Sequence, residues 1–208
     1  AACSISIGEE ELVGYVEHAL PAGDELHRKK HGKYGYYIAG ETVYQLQLMG
    51  LMYLLSDEKF VPRRYLFNSS RVRLELLRGL MDGDGSINSG HRTSPGVEFT
   101  STSKRLADDV AFLVQSLGGT VTIRTRTPKY EYSGQTMEGK LAHRLYIHLP
   151  WEINPFRMTR KAERWDMNAR VERGQHSLVR RIVSIEPDGE GMATCINVAS
   201  PDHLFATQ

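Results

Sequence analysis

Two aspartates, Asp82-Gly83-Asp84-Gly85, follow directly on the apolar run Leu76-Leu77-Arg78-Gly79-Leu80-Met81. Leu76, Leu80 and Gly83 fall at i, i+4 and i+7 with Gly79 between them. The spacing predicts a helix with one face of leucines and small residues. Such a face lets another helix approach backbone to backbone. Gly83 and Gly85 are expected to end the helix in a left-handed conformation. Asp84 would then sit just past the C-terminus, beside carbonyls that lack intrahelical partners and carry partial negative charge. A carboxylate and free carbonyls at one point repel anions and suit Mg²⁺, which takes hard oxygen ligands and keeps several waters. A calcium loop is excluded, because the further oxygen donors and the Gly before a closing Glu are missing. On these residues alone, an ordinary helix end with turn-forming Asp-Gly pairs fits equally well.

The elements that must position this stretch read in a repeating order. Residues 4–7 alternate like a strand, and Glu9-Glu10-Glu11 open a helix with Leu12, Val16, Ala19 and Leu20 inward. Pro21-Ala22-Gly23 stops it, and residues 24–30 and 34–39 read as a hairpin around Gly32. A helix is expected from about Thr42 to Leu55, and Gly50 to Ser56 reads as plain core helix. The order recurs downstream. Val97–Thr100 is a strand, Ser103–Leu117 a helix with Leu106, Val110, Leu113 and Leu117 inward, and two strands follow at about 120–127 and 141–148. Leu12 and Val16 match Leu106 and Val110 at constant offset. The second copy is preceded by the helix Ser70–Asp82 and a strand near Ser86-Ile87. Ahead of the first copy the chain simply begins, inside a strand and without an initiator Met. A first helix and strand are inferred to be lost by truncation.

With 208 residues, 40% hydrophobic and 25% charged, the usage is ordinarily globular. A net charge of +1 does not announce a nucleic-acid binder, so a basic surface must come from local clustering. Two cysteines, Cys3 and Cys195, argue against a disulfide scaffold or zinc site and suit a reducing cytoplasm. No apolar run approaches a membrane span, and no signal peptide pattern opens the chain.

Residues Leu77 to Gly85 resemble the LAGLIDADG motif of homing endonucleases. Gly79, Leu80, Asp82, Asp84 and Gly85 match, while Arg78 replaces Ala, Met81 replaces Ile and Gly83 replaces Ala. The stretch Asp57–Leu66 followed by Ser69–Leu77 resembles the approach to the second motif in intein-borne, double-motif (DOD-type) enzymes, and the likeness extends over roughly residues 4–150. The resemblance implies an α+β fold of two pseudo-symmetric αββαββα-type halves behind a curved antiparallel sheet, the first motif helix missing. It implies site-specific, Mg²⁺-dependent hydrolysis of double-stranded DNA. Carried over residue by residue, Asp84 is the metal ligand and a catalytic residue, with the Gly83 carbonyl as a second oxygen. Asp82 and Gly79 belong to the interface of a helix pair. Lys59 matches a lysine thought to stabilise charge or activate water, and its other reading is a solvated turn lysine. Lys161 is a candidate second catalytic lysine. Only one metal-binding aspartate of the family's pair is present. The fragment would hold half an active site, which the full-length parent or a second copy in a homodimer could complete.

DNA recognition would fall to the strands. Val121, Ile123 and Thr125 alternate with Thr122, Arg124 and Arg126, giving one apolar face and one with arginines. Arg28, Lys29 and Lys30, with His31, Lys33 and the neighbouring tyrosines, would do similar work in the first copy. A two-stranded ribbon fits the major groove, where arginine reads guanine. The other reading is a solvated sheet face with edge charges that block aggregation.

Residues 157–181 are rich in arginine and read as a basic connecting helix. Arg181–Glu186 and Thr194–Val198 read as a hairpin around Pro187-Asp188-Gly189. With Ser200–Thr207 they resemble the late block of an intein (Hint) splicing domain. There His203 matches the histidine that assists asparagine cyclisation, and Cys195 is either a branching nucleophile or a buried strand residue. The expected organisation is a first-half remnant (1–56), a second endonuclease half (57–155), a connecting helix (156–180) and the start of a splicing segment (181–208). The partners implied are a DNA target site and the host protein, or extein, that flanks the parent intein, with no membrane. The rival reading is a non-catalytic DNA- or RNA-binding module on the same scaffold, or a degenerate intein fragment.

Overall fold

A computed structural model describes residues 3–88, 96–171, 182–187, 189, 191, 192 and 198. The chain divides into two units, Ala1–Leu178 and Val179–Gln208. The first opens with β1 (Cys3–Ser6), α1 (Glu10–Ala19), β2 (Glu25–Arg28), β3 (Gly35–Ala39) and α2 (Glu41–Leu48). The strands form an antiparallel sheet of order β1-β3-β2. Ile7, Val13 and Tyr36 make a small core, covered by Ile5, Leu12, Val16 and Leu26. Leu12 and Val16 thus face inward, although Val13 is the helix residue most fully removed from water. The helix expected to reach Leu55 stops at Leu48, because Gly50 (φ +69°) and Tyr53 (φ +64°) adopt the left-handed conformation. Residues 50–56 are therefore not a core helix, and Tyr53 and Leu55 are exposed.

The chain continues through α3 (Arg63–Leu66), α4 (Ser70–Asp84), β4 (Gly85–Asn88), β5 (Gly96–Ser101), α5 (Lys104–Ser116) and β6 (Thr120–Arg126). An unanticipated exposed hairpin, β7 (Lys129–Tyr132) and β8 (Gln135–Glu138), separates β6 from β9 (Ala142–His148), and α6 (Thr159–Val171) follows. The second sheet is antiparallel with order β4-β5-β9-β6. Its β5-β9-β6 part repeats the β1-β3-β2 order of the first sheet. The internal repeat is therefore a repeat of topology, and β4, fed directly by α4, is the strand the second copy has in addition. Leu106, Val110, Leu113 and Leu117 of the α5 stretch pack with Leu77 and Met81 of α4 onto Val97, Phe99, Leu145 and Ile147. Each such side chain contributes about 1.5–3 kcal/mol on burial, so this cluster is the main anchor of α4. Ser69 and Ser103 cap α4 and α5 by accepting the N–H groups of Val72 and Leu106. No described helix is long and apolar enough to cross a membrane.

The end of α4 differs from expectation. The helix runs through Gly83 and includes Asp84 as its last residue, and Gly85 (φ −84°) is extended with its N–H bonded to the Met81 carbonyl. Neither glycine is left-handed. Gly85 is required for closeness instead, since a Cβ there would stand 2.6 Å from the Met81 carbonyl oxygen and 2.8 Å from its Cα. A Cβ at Gly79 or Gly83 would meet nothing within 4 Å, so the small-residue seam is open.

In the second unit, residues 182–187 are exposed and form neither strand nor helix. The hairpin expected over 181–198 is not present in them, and its second strand lies outside the described residues except for Val198. Cys195 and His203 also lie outside the described residues.

Residues 157–160 join the two halves of the first unit. The Glu11 carboxylate accepts the Thr159 N–H (2.9 Å) and its hydroxyl (2.6 Å), and Glu9 pairs with Arg160. Arg157 pairs with Glu75 of α4, and the Tyr15 hydroxyl donates to the Arg157 carbonyl (3.2 Å). The Thr159 hydrogen bonds hold Glu11, and the Arg160 hydrogen bond holds Glu9, below the usual glutamate range. Carboxyls lowered by folding stabilise above their ordinary value of about 4.3, and that contribution is lost as pH falls through the lowered value. Acidification from about pH 6 to about pH 3 is thus expected to lower amide protection, taken relative to the intrinsic exchange rate at each pH, in α1 before α5, and Glu11→Gln to flatten this dependence. In denaturation measurements, Gly85→Ala is expected to cost about 1–3 kcal/mol through overpacking. Gly79→Ala and Gly83→Ala, in open helix interior, should each stabilise by up to about 1 kcal/mol.

Candidate metal and nucleic-acid site

The C-terminal end of α4 and the residues leading into α6 hold each other by opposite charges. The buried Asp82 carboxylate accepts the backbone N–H groups of Arg157 (3.1 Å) and Met158 (3.2 Å). The buried Lys161 ammonium donates to the carbonyls of Met81 (2.9 Å), Asp82 (2.8 Å) and Gly85 (2.8 Å). An anion therefore meets N–H groups at the start of one helix, and a cation meets carbonyls at the end of the other. Burial pushes the Asp82 carboxyl up against the pull of those N–H groups and Lys161. Burial likewise pushes Lys161 down, with Asp82 opposing. Spacing in the sequence marked Asp82 as a helix-end residue. Nothing there showed that its partners would be 75 positions away.

Asp84, two residues on, is exposed where Asp82 is buried. It lines a cleft of about 700 Å³ between the first half and α4. Ile5, Ile7, Leu12 and Val16 form its apolar side, and Glu75, Gly79, Asp82, Gly83 and Asp84 its α4 side, with Arg157 and Arg160 at the join. Gly79, Gly83 and both aspartates are thus brought to one place. Among the described residues no three His, Cys, Asp or Glu side chains converge as a metal cage. The donor set is one carboxylate beside a helix-terminal carbonyl, all hard oxygen, which fits an ion of the Mg²⁺ class that retains most of its water.

Lys59 is not brought to that cleft. It is exposed and lines a separate, largely apolar cavity of about 490 Å³ with Phe60, Tyr65, Leu76, Leu80 and Leu106. Its carbonyl accepts the Ser103 hydroxyl (2.6 Å), which fastens this loop to α5. Lys161, far from being a free cation in the cleft, is buried with all its hydrogen bonds directed at backbone.

The outer faces of the two sheets carry the basic side chains. On the second, Arg124 and Arg144 stand opposite one another on β6 and β9, with both guanidiniums about 5.5 Å and 5.4 Å from the Tyr146 ring. Arg126 is exposed at the end of β6, and Arg144 pairs with Glu98. The expected apolar face of β6 is not buried: Ile123 is 40% exposed, because β6 is the edge strand and only Val121 packs against the core. On the first sheet, His27 stacks on Tyr37 (4.9 Å) and Lys29 donates to Ser4 (2.9 Å). Arg28 points to the other face, 6.0 Å above the Tyr36 ring, so the basic run is divided between two faces. Lys30 is exposed. A strict alternation separates neighbours in this way.

Residues 71–149 match the family model of the LAGLIDADG-like domain. The replicative DNA helicase DnaB of Mycobacterium intracellulare is 33% identical over 150 residues, which are 71% of this chain and 24% of that protein. The ATP-dependent DNA helicase Hel308 of Thermococcus kodakarensis is 34% identical over 110 residues, 47% of this chain and 10% of that protein. The chain thus spans about a quarter of one curated relative and a tenth of the other. The structure of I-DmoI in complex with DNA and Mn aligns at 14% identity and a TM-score of 0.43, covering 81% of this chain and 80% of that one. The stretch that matches the LAGLIDADG-like domain model holds the motif helix α4, the helix α5 and the antiparallel sheet β4-β5-β9-β6, a mixed α+β arrangement.

Proposed function

We propose that the chain is the endonuclease part of an intein, a site-specific double-stranded DNA nuclease that uses a divalent cation, Mg²⁺ by preference. The observation that carries this reading is Asp84, an exposed carboxylate at the end of the motif helix that faces a cleft beside the Gly83 carbonyl. Those two groups would hold the cation. When bound, Mg²⁺ supplies neutralisation of developing phosphate charge and a more acidic water. Asp84 orients that centre, and Asp82, buried against the segment before α6, fixes the helix that carries it. Arg124, Arg126, Lys29 and Lys30 lie on surfaces where a phosphate backbone would be held. Arg28 contributes from the far face of β2 only at the strand end. Lys59 acts, on this reading, where DNA bridges the two sides of α4.

One carboxylate is half of a two-strand cutting site, so the second comes from another motif helix, either in the full-length parent or in a second copy. The intein context rests on two supports. The late block containing Cys195 and His203 resembles a splicing segment, and the two helicase relatives are different proteins sharing only a minor part of their length with this chain. A module inserted into unrelated hosts has that distribution. A second reading, a non-catalytic DNA-binding module, is favoured because, among the described residues, no three His, Cys, Asp or Glu side chains converge on a metal site.

The test is cleavage of a plasmid carrying the empty insertion site by the full-length parent, with and without Mg²⁺. Linear product is expected from wild type only with the metal. Asp84→Asn is expected to abolish it while retaining binding. Tight binding without cutting by wild type would establish the binding module instead. In titrations across salt concentrations, Arg124→Ala and Arg126→Ala are each expected to weaken DNA binding and to lower the salt slope by about 1. An unchanged slope would remove the β6–β9 face from the interface.

A further inference from the structure

Among the described residues, Lys161 is one of the few charged side chains that is almost wholly buried, 4% exposed. An ammonium has three donors, and all three are used on backbone carbonyls, at 2.9, 2.8 and 2.8 Å. No donor remains for a phosphate or a water. The accepting carbonyls belong to Met81, Asp82 and Gly85, so they bracket Gly83 and Asp84 from both sides and none of the three bonds is to either of these. Asp82 pins the same stretch from the opposite direction through Arg157 and Met158. From this arrangement we infer that Lys161 is a positioning residue for Asp84. It draws together the carbonyls on both sides, holds the last turn of α4 against β4, and leaves the Gly83 carbonyl and the Asp84 carboxylate facing the cleft. The cation also compensates the negative end of the helix, where an unpaired carboxylate such as Asp84 is otherwise unfavourable. The inference deepens the metal-site reading and rests on it only for the role of Asp84, since the clamp itself is a matter of backbone order.

The experiment uses the purified chain and two readouts. Residue-resolved amide exchange is compared between wild type, Lys161→Met, Lys161→Arg and Val110→Ala, the last a truncation in the α5 core that serves as a general destabilisation control. Lys161→Met keeps the stem and removes the donors. It is expected to speed exchange at residues 83–86 about ten- to hundredfold beyond any change in α5. Lys161→Arg keeps the charge in a planar fork that cannot match three carbonyls at one point, and should regain only part of the protection. It carries the test alone if Lys161→Met does not fold. Titration with Mn²⁺, followed by paramagnetic broadening at Asp84, is the second readout, and Lys161→Met is expected to bind more weakly. Unchanged exchange at 83–86, or a loss no greater than in α5, would overturn the positioning role. Tighter Mn²⁺ binding in Lys161→Met would also overturn it, because removal of a repelling charge would then be the whole effect. Absent Mn²⁺ binding by wild type, with the exchange pattern as expected, would overturn the metal-site reading and leave the clamp standing.

Discussion

The reciprocal hold between the end of α4 and the start of α6 is the constraint on which the rest of the site depends. Helix ends leave N–H and C=O groups without partners, and burying them unsatisfied is costly. Here the two ends satisfy each other with one carboxylate and one ammonium, Asp82 and Lys161. Two buried charges are expensive to desolvate, and an apolar pair of similar volume would often be as stable. What the charged pair supplies is direction, because five hydrogen-bonding backbone groups can be met in only one register of the two segments.

That register has consequences at a distance. The side chain of Arg157, whose N–H is part of the Asp82 contact, reaches Glu75 of α4, Arg160 reaches Glu9 of the first half, and Thr159 is held by Glu11. One short segment thus sets the width of the cleft and the orientation of its α4 wall. Leu77 and Met81, on the opposite side of the same helix, are fully buried in the main core. α4 is therefore fixed by packing on one stripe and by hydrogen bonds at its end. The stripe of Gly79 and Gly83 is left open toward the cleft. The sheets add an outward face that carries basic and aromatic side chains, because alternation commits Leu145 and Ile147 to the core and leaves Arg144 and Tyr146 outside.

Much of this was legible in residue order. The α5 stripe, the strands near 120–126 and 142–148, and the repeated strand–helix–strand–strand order all follow from hydrophobic period, a local property. Asp84 stood out because its neighbours are glycines and a leucine-rich run. The misreadings share a different character. Gly83 and Gly85 look like helix terminators, yet one is helical and the other is extended and packed against Met81. Gly50–Ser56 has helix-forming composition, and its left-handed residues break it. The β7–β8 hairpin, all of it exposed, has no hydrophobic pattern by which to be found.

The sequence by itself determined most of the elements, their order and their repeated pattern, because these are written in spacings of two to four residues. Only the tertiary structure decided which buried groups answer one another. Asp82 meets N–H groups and Lys161 meets carbonyls some 75 to 80 positions away in the chain. Lys59 was drawn to another cavity, and Arg28 and Lys29 were parted by the pleat. Pairings of that kind depend on which helix ends come together, and no local period encodes the meeting of two ends.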